Sequence, residues 1–205
     1  MDFLTKFPAM ERADLRDLKK GIDSSFKEFS RSWGESIEVF FDPLFYFLVR
    51  FEKLLLATPW PIIILIVAAL SYVGSRSWKL SLGAAVSFLL IGYLGMWNNT
   101  MSTVALISVA TIICIALGIP IGIAMSKSDR LQAMITPVLD IMQTIPIFVY
   151  LLPVVMLLGI GKVPGLIAVC VYAMPPIVRL TNLGLRLVDK EILEAADAFG
   201  SNYRQ

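Results

Sequence analysis

The sequence predicts an all-α membrane protein, and three observations support this fold class. Of its 205 residues, 57% are hydrophobic, which is more than an ordinary soluble domain contains. Long stretches carry no charge, and the longest covers residues 80–126. The charges are concentrated at the start: residues 1–59 hold nine basic and ten acidic side chains, whereas the remaining residues hold nine and six. We therefore expect a polar tail followed by a bundle of membrane-spanning helices.

Several function classes are disfavoured by composition. The chain has no histidine, which removes the commonest general base and metal ligand, and its net charge of +2 does not suggest nucleic-acid binding. Cys114 and Cys170 lie in apolar runs without a CxxC pattern and are expected to be buried free thiols. The motifs of phosphate-binding loops, serine hydrolases and zinc proteases are missing. The first ten residues lack an apolar core, so no cleavable signal peptide is predicted.

Residues 1–59 are predicted to form the polar tail. Residues 9–37 alternate charged and apolar side chains, which indicates a loose or helical segment outside the bilayer. Residues 38–53 are rich in phenylalanine but carry five charged side chains, which oppose membrane crossing. An amphipathic helix lying at the membrane interface fits this segment better.

Five membrane-spanning helices are predicted after the tail. Residues 54–75 contain 22 uncharged residues, about 33 Å of helix, which is enough to cross a hydrocarbon core of about 30 Å. The polar triplet Asn98-Asn99-Thr100 divides the next uncharged run. The predicted spans are therefore 54–75, 80–97, 101–125, 131–158 and 163–181. Residues 60–97 are expected to form two additional helices, and residues 98–205 a partial core.

The distribution of basic residues predicts the orientation of the bundle. On one side lie Arg76, Lys79, Lys127, Arg130, Arg186, Lys190 and Arg204. The other side holds the uncharged triplet and Lys162. The positive-inside rule makes the first side cytoplasmic and places the N-terminus outside. Trp60, Trp78 and Trp97 lie at the ends of spans, as in an aromatic belt.

A short amphipathic helix is predicted at residues 189–200, DKEILEAADAFG. Asp189 is a good N-cap, and Gly200 suits the left-handed position after a helix. Ala195, Ala196 and Gly200 are small and would allow a partner surface to approach closely, while Glu194 lies on the charged face. From the pattern alone, a plain interfacial helix that follows the last span remains the alternative interpretation.

The fourth predicted span combines polar side chains with prolines. Asp140, Gln143 and Thr144 share a helical face, and Tyr150 follows two to three turns beyond Asp140. A carboxylate within a bilayer is costly, so it should face protein or water. The prolines at 137, 146 and 153 each kink a helix, which is tolerated where the backbone lines a cavity or is covered by neighbouring helices. We interpret these four side chains as candidates for a translocation path. A polar clamp between packed helices is the alternative.

Two features of the neighbouring spans bear on packing. Arg179 either pairs with Asp140 or extends to the cytoplasmic interface, and the second interpretation is slightly preferred. Gly118 and Gly122 form a GxxxG pair, which weakly indicates a close helix–helix contact.

Residues 98–205 resemble the permease subunit of glycine betaine/proline betaine ABC importers. The resemblance rests on GIPIGIAMSKSDR, PVLDIMQTIPIFVYLLPVVMLLGIGKVPG, AMPPIVRLTNLGL and the following Glu194-Ala195-Ala196 with Gly200, which matches the EAA loop of such permeases. It implies a partial type I ABC-importer permease fold with about five transmembrane helices, in which residues 189–203 dock onto an ATPase.

The resemblance also implies the function and the partners. The chain would be a non-enzymatic subunit that holds no metal or cofactor, with ATP bound by a separate ATPase subunit. An extracytoplasmic solute-binding protein, a second permease subunit, expected to be a copy of this chain, and membrane lipid would be the other partners, in a cytoplasmic (inner) membrane. Alternative hypotheses are a permease of the same superfamily for another substrate such as an amino acid, an ion-coupled secondary transporter and a membrane scaffold. The chain stops at Gln205, before the expected end of the EAA loop and about two further spans, so a fragment or a truncated product is expected.

Overall fold

Proline, glycine and polar residues divide the chain into helices. The computed structural model describes Met10 and residues 12–201. Within this part of the chain every regular element is a helix. The helices are α1 (Arg12–Ala57), α2 (Trp60–Ser75), α3 (Trp78–Tyr93), α4 (Trp97–Ser126), α5 (Asp129–Thr144), α6 (Ile147–Leu158), α7 (Lys162–Arg186) and α8 (Lys190–Ala198).

The breaks between helices have identifiable local causes. Ile145 has the extended backbone (ψ 127°) that a following proline imposes, and Pro146 then occupies the N-cap position of α6. Gly95 and Gly159 both have φ of 76°, a left-handed conformation that costs a glycine little. The Ser128 side chain caps α5 by accepting a hydrogen bond from the Leu131 amide at 3.3 Å.

Helices α4 and α7 form the centre of the fold and run parallel to each other. The Cys114 thiol of α4 donates to the Cys170 carbonyl of α7 at 3.6 Å. Further along both helices, a Cβ built on Gly118 would lie 2.9 Å from Ile177 Cγ2. Because residue numbers rise together on the two helices, the chain must cross back between them, which α5 and α6 accomplish. The GxxxG pair therefore does mark a close helix–helix contact, as predicted.

Helix α1 is a single long element that packs on this centre near its C-terminal end. Leu48 is buried, and it forms one core cluster with Ala105, Val109, Ala110 and Leu166. The segment 38–53, predicted as a separate interfacial helix, is thus continuous with the preceding tail in one helix of 46 residues. Residues 12–37 are helical rather than loose.

Length and composition identify fewer continuous spans than the five that the sequence predicts. Among the described residues, α4 and α7 are long and apolar enough to cross a membrane. Two further broken spans are possible, α1 with α2 and α5 with α6, which bend by 105° and 87° at their breaks. Helix α3 is a shorter apolar helix.

Three sequence expectations about these spans need correction. A continuous helix over 131–158 does not form, because Pro146 breaks it. A continuous helix over 54–75 does not form either, because α1 ends at Ala57 and α2 begins at Trp60. The turn before α4 lies at residues 94–96 rather than at Asn98–Thr100, because Gly95 adopts the positive φ and the asparagines enter the helix.

Candidate functional site

Helix α8 has the local structure that its sequence predicts. The Asp189 carboxylate accepts a hydrogen bond from the Glu191 amide at 3.1 Å, as an N-cap does. The Phe199 amide donates to the Ala195 carbonyl at 3.0 Å, and Gly200 follows with φ of 72°. Both predicted boundaries of the helix are therefore confirmed.

The surface of α8 is open along the face that carries its apolar residues. Ile192 and Phe199 are 63% and 91% exposed, and Ala195 lies between them at helical spacing. Glu194 is also exposed. Ala196 lies within α8, but its side chain falls outside the described part of the chain. An exposed apolar face on a capped, charged helix is suited to docking against another protein.

Arg186, the last residue of α7, joins three elements at the base of α8. Its Nη1 pairs with Asp129 Oδ1 of α5 at 2.7 Å. Its Nη2 donates to the Met125 carbonyl of α4 at 3.0 Å, and its Nε donates to Asn182 Oδ1 at 3.1 Å. From the sequence, Arg186 contributed only to the predicted orientation. Its position four residues after Asn182 was the available signal, since residues at that spacing face each other on a helix.

Asp140 and Arg179 form an ion pair between α5 and α7. Arg179 therefore pairs rather than extending to the interface, contrary to the preferred interpretation from sequence. Since Asp129 pairs with Arg186 and Asp140 with Arg179, α5 runs antiparallel to α7. The Asp140 and Arg179 side chains keep 54% and 39% of their surface exposed, so the pair borders open space.

The other candidate path residues separate into two groups. Gln143 and Thr144 are exposed on α5, on the helix that carries Asp140, and the Thr144 hydroxyl donates to the Ile141 carbonyl at 3.4 Å. Tyr150 lies beyond the 87° bend, on α6, and does not continue the Asp140 face. Its hydroxyl is buried and has no hydrogen-bond partner among the residues that the structure describes. The bend is the physical reason that one predicted face becomes two.

A second polar cluster, absent from the sequence prediction, fixes α1 to the centre of the fold. Glu52 is 7% exposed, and its carboxylate accepts from the Ser102 hydroxyl of α4 and pairs with Lys162 at the start of α7. In the sequence, Glu52 only counted as a charge that opposes membrane crossing. Its partners are 50 and 110 residues away along the chain, so spacing gave no signal.

One cavity lies away from these groups. Its volume is about 560 Å³, and it lies where α1, α2 and the end of α3 meet. Its walls include Trp60, Phe88, Tyr93 and Trp97. Trp60, Trp78 and Trp97 each begin a helix, as residues of an aromatic belt do.

Comparison with known proteins places this architecture in a class. Residues 115–205 match the family described as "Binding-protein-dependent transport system inner membrane component". This region, from the middle of α4 through α8, therefore resembles the inner-membrane components of binding-protein-dependent transport systems. The chain is a helical membrane protein, and the resemblance predicted from its motifs is confirmed.

Several similar relatives are named as permeases for betaines. The chain is 43% identical over 168 residues to the glycine betaine/proline betaine transport system permease protein ProW of Escherichia coli (strain K12), covering 80% of this chain and 46% of the relative. It is 45% identical over 148 residues to the glycine betaine/carnitine transport permease protein GbuB of Listeria monocytogenes, covering 71% of this chain and 52% of the relative. It is 43% identical over 148 residues to the glycine betaine transport system permease protein OpuAB of Bacillus subtilis, covering 72% of this chain and 52% of the relative. The chain spans about half the length of these relatives.

Proposed function

We propose that this chain is the transmembrane subunit of an ATP-driven importer for a quaternary ammonium compatible solute of the glycine betaine and proline betaine type. The substrate class rests on the names of its relatives. The subunit carries out no chemical step itself. ATP is bound by a separate ATPase subunit, and an extracytoplasmic binding protein delivers the solute.

The observation that carries this proposal is the exposed, capped helix α8 directly after α7. We assign residues 189–203 as the coupling segment, with Glu194, Ala195, Ala196 and Gly200 as its motif. Ile192 and Phe199 supply apolar contact area, and the small residues allow close approach of the ATPase surface. The segment then lies on the cytoplasmic side and the N-terminus outside.

Arg186 supplies a route for force from α8 into the bundle. Its side chain contacts α4 and α5 while its backbone belongs to α7. A push on α8 is therefore applied to three helices together rather than to α7 alone. This arrangement suits rigid-body rocking between inward-open and outward-open states, as in alternating access.

The translocation path is assigned to the surface of α5 that carries Asp140, Gln143 and Thr144. This surface is exposed in the single chain. A second copy of the chain, packed against it across a two-fold axis, encloses the path. Tyr150 contributes from α6, beyond the bend.

Gly200 provides the test. With φ of 72°, it has a conformation that a β-branched residue adopts only with strain. In the complete transporter, Gly200→Val is expected to abolish solute uptake while ATP hydrolysis and the amount of permease in the membrane persist. Gly184→Val is the matched control, because Gly184 lies in open space on α7. Wild-type uptake by Gly200→Val, together with wild-type uptake by Glu194→Lys, would disprove the docking assignment.

A further inference from the structure

Helix α1 carries an internal repeat of 11 residues. Apolar side chains occupy the first, fourth and eighth positions of four consecutive repeats that begin at Leu15. These residues, here called the α1 stripe, are Leu15, Leu18, Ile22, Phe26, Phe29, Trp33, Ile37, Phe40, Leu44, Leu48, Phe51 and Leu55. Eleven residues per three turns is about 3.67 residues per turn, close to the natural period of an α-helix, so the stripe follows one face without drifting far.

The C-terminal end of the α1 stripe is already an interface. Leu48 is 1% exposed in the core cluster with α4 and α7. Leu44, Phe51 and Leu55 pack around the same cluster. The same face, one to three repeats earlier, therefore continues an established apolar contact surface.

The N-terminal part of the α1 stripe has no comparable cover within the described chain. Six of its residues are between 41% and 75% exposed, namely Leu15, Leu18, Ile22, Phe29, Trp33 and Phe40. One edge approaches α6, where Ile22 and Phe26 share a cavity wall with Pro153 and Met156. The remaining apolar surface needs a further partner, because exposed apolar area of this extent is unusual in water.

The surroundings of this segment identify the partner as the bilayer. Helix α6, which lies beside it, contains twelve uncharged, predominantly apolar residues and therefore belongs at membrane depth. Helix α2 meets α1 at 105°, so α1 does not continue along the direction of the apolar helix α2. Aromatic residues make up much of the open stripe, as they do in helices that lie in the interface.

The polar face of the same segment is suited to the water side of that interface. Charged residues lie mostly opposite the stripe, among them Lys20, Glu28 and Arg31. Over residues 12–40 there are six basic and six acidic side chains. Because the charges balance, attraction to anionic headgroups contributes little, and apolar burial must supply the binding.

We propose that residues 15–40 of α1 form a membrane-interface helix that inserts the α1 stripe at the acyl boundary of the bilayer, independently of anionic lipid. The stripe then has one continuous apolar environment, made of lipid at its N-terminal part and of α4 and α7 at its end. This role is separate from solute transport.

Nitroxide scanning of the whole chain in phosphatidylcholine vesicles tests the proposal. In a Cys114→Ala, Cys170→Ala background, labels are placed on the stripe through Leu18→Cys, Ile22→Cys and Phe29→Cys. Matched labels on the opposite face use Lys20→Cys, Glu28→Cys and Arg31→Cys. Collisions with membrane-soluble oxygen should be several-fold more frequent for the stripe labels, and collisions with a water-soluble nickel chelate several-fold less frequent. Adding phosphatidylglycerol should leave both patterns unchanged.

Three results would overturn the proposal. Equal collision rates on both faces would place the helix in water. Spin–spin broadening at stripe labels that disappears on dilution with unlabelled chain would assign the stripe to a second copy. If the stripe labels are shielded from the nickel chelate only when phosphatidylglycerol is present, charge rather than apolar burial drives insertion. None of these readouts requires ATPase, solute or uptake, so they are independent of the proposed transport function.

Discussion

Gly122 of α4 lies directly against Thr181 of α7. A Cβ built on Gly122 would be 2.6 Å from the Thr181 Cβ and 2.8 Å from the Val178 carbonyl oxygen. Both distances are shorter than side-chain contacts allow, and the second involves backbone, which cannot rotate away. Membrane helices use small residues at such contacts because backbone proximity replaces the hydrophobic driving force that water would provide.

Gly122→Ala should therefore destabilise the chain. Overpacked sites typically lose about 1–3 kcal/mol, and this site should lie in that range because α4 and α7 must separate. The measurement is the free energy of unfolding in mild detergent. Gly184→Ala on α7 is the control, since a Cβ there meets no atom of the described residues within 4 Å. If both variants unfold alike, the close contact between α4 and α7 is not present in the folded chain.

The ion pair between Asp140 and Arg179 should couple α5 to α7. Asp140→Asn, Arg179→Gln and the double variant form a cycle whose coupling energy is expected to be about 0.5–1 kcal/mol, since both side chains are more than a third exposed. The exposed pair Lys27–Asp23 within α1 supplies the comparison, with about 0.3 kcal/mol expected. The charge-reversed variant Asp140→Arg with Arg179→Asp should recover part of the stability that either single reversal loses. A coupling energy of zero would mean that this pair does not stabilise the contact between α5 and α7.

Glu52 should be required for α1 to remain attached to the centre of the fold. Glu52→Gln removes the charge that pairs with Lys162 within a nearly buried site, and the expected loss is about 1–3 kcal/mol of unfolding free energy. Limited trypsin cleavage after Arg50 and Lys53 should become faster, because this end of α1 would separate more often. Glu28→Gln, at an exposed position of the same helix, should change neither measurement. Unaltered cleavage in Glu52→Gln would show that apolar packing around Leu48 holds α1 without the cluster.

Local sequence signals predicted the structure of helix α8 well. The cap at Asp189 and the left-handed Gly200 each depend on one or two neighbouring residues, and α8 has both. The long helices α4 and α7 were predicted for the same reason, since a predominantly apolar run is a property of consecutive residues.

The positions where one helix ends and the next begins were harder to predict, because several neighbouring residues could each form the break. Of the three prolines in the fourth predicted span, only Pro146 separates two helices, while Pro137 and Pro153 remain inside α5 and α6. Near α4, Gly95 takes the turn that the polar asparagines were expected to take. A proline or a glycine permits a break, but the packing of the neighbouring helices determines which one is used.

By itself, the sequence determined the helical membrane class, the resemblance to betaine importer permeases and the local structure of α8, because composition, periodicity and capping act over a few residues. Only the tertiary structure decided that Arg179 pairs with Asp140, that Glu52 meets Lys162, and that Arg186 joins α4 and α5 to α7. These partners are 39 to 110 residues apart along the chain. Their pairing follows from the parallel packing of α4 and α7, which brings distant residues together at a register that no local pattern encodes.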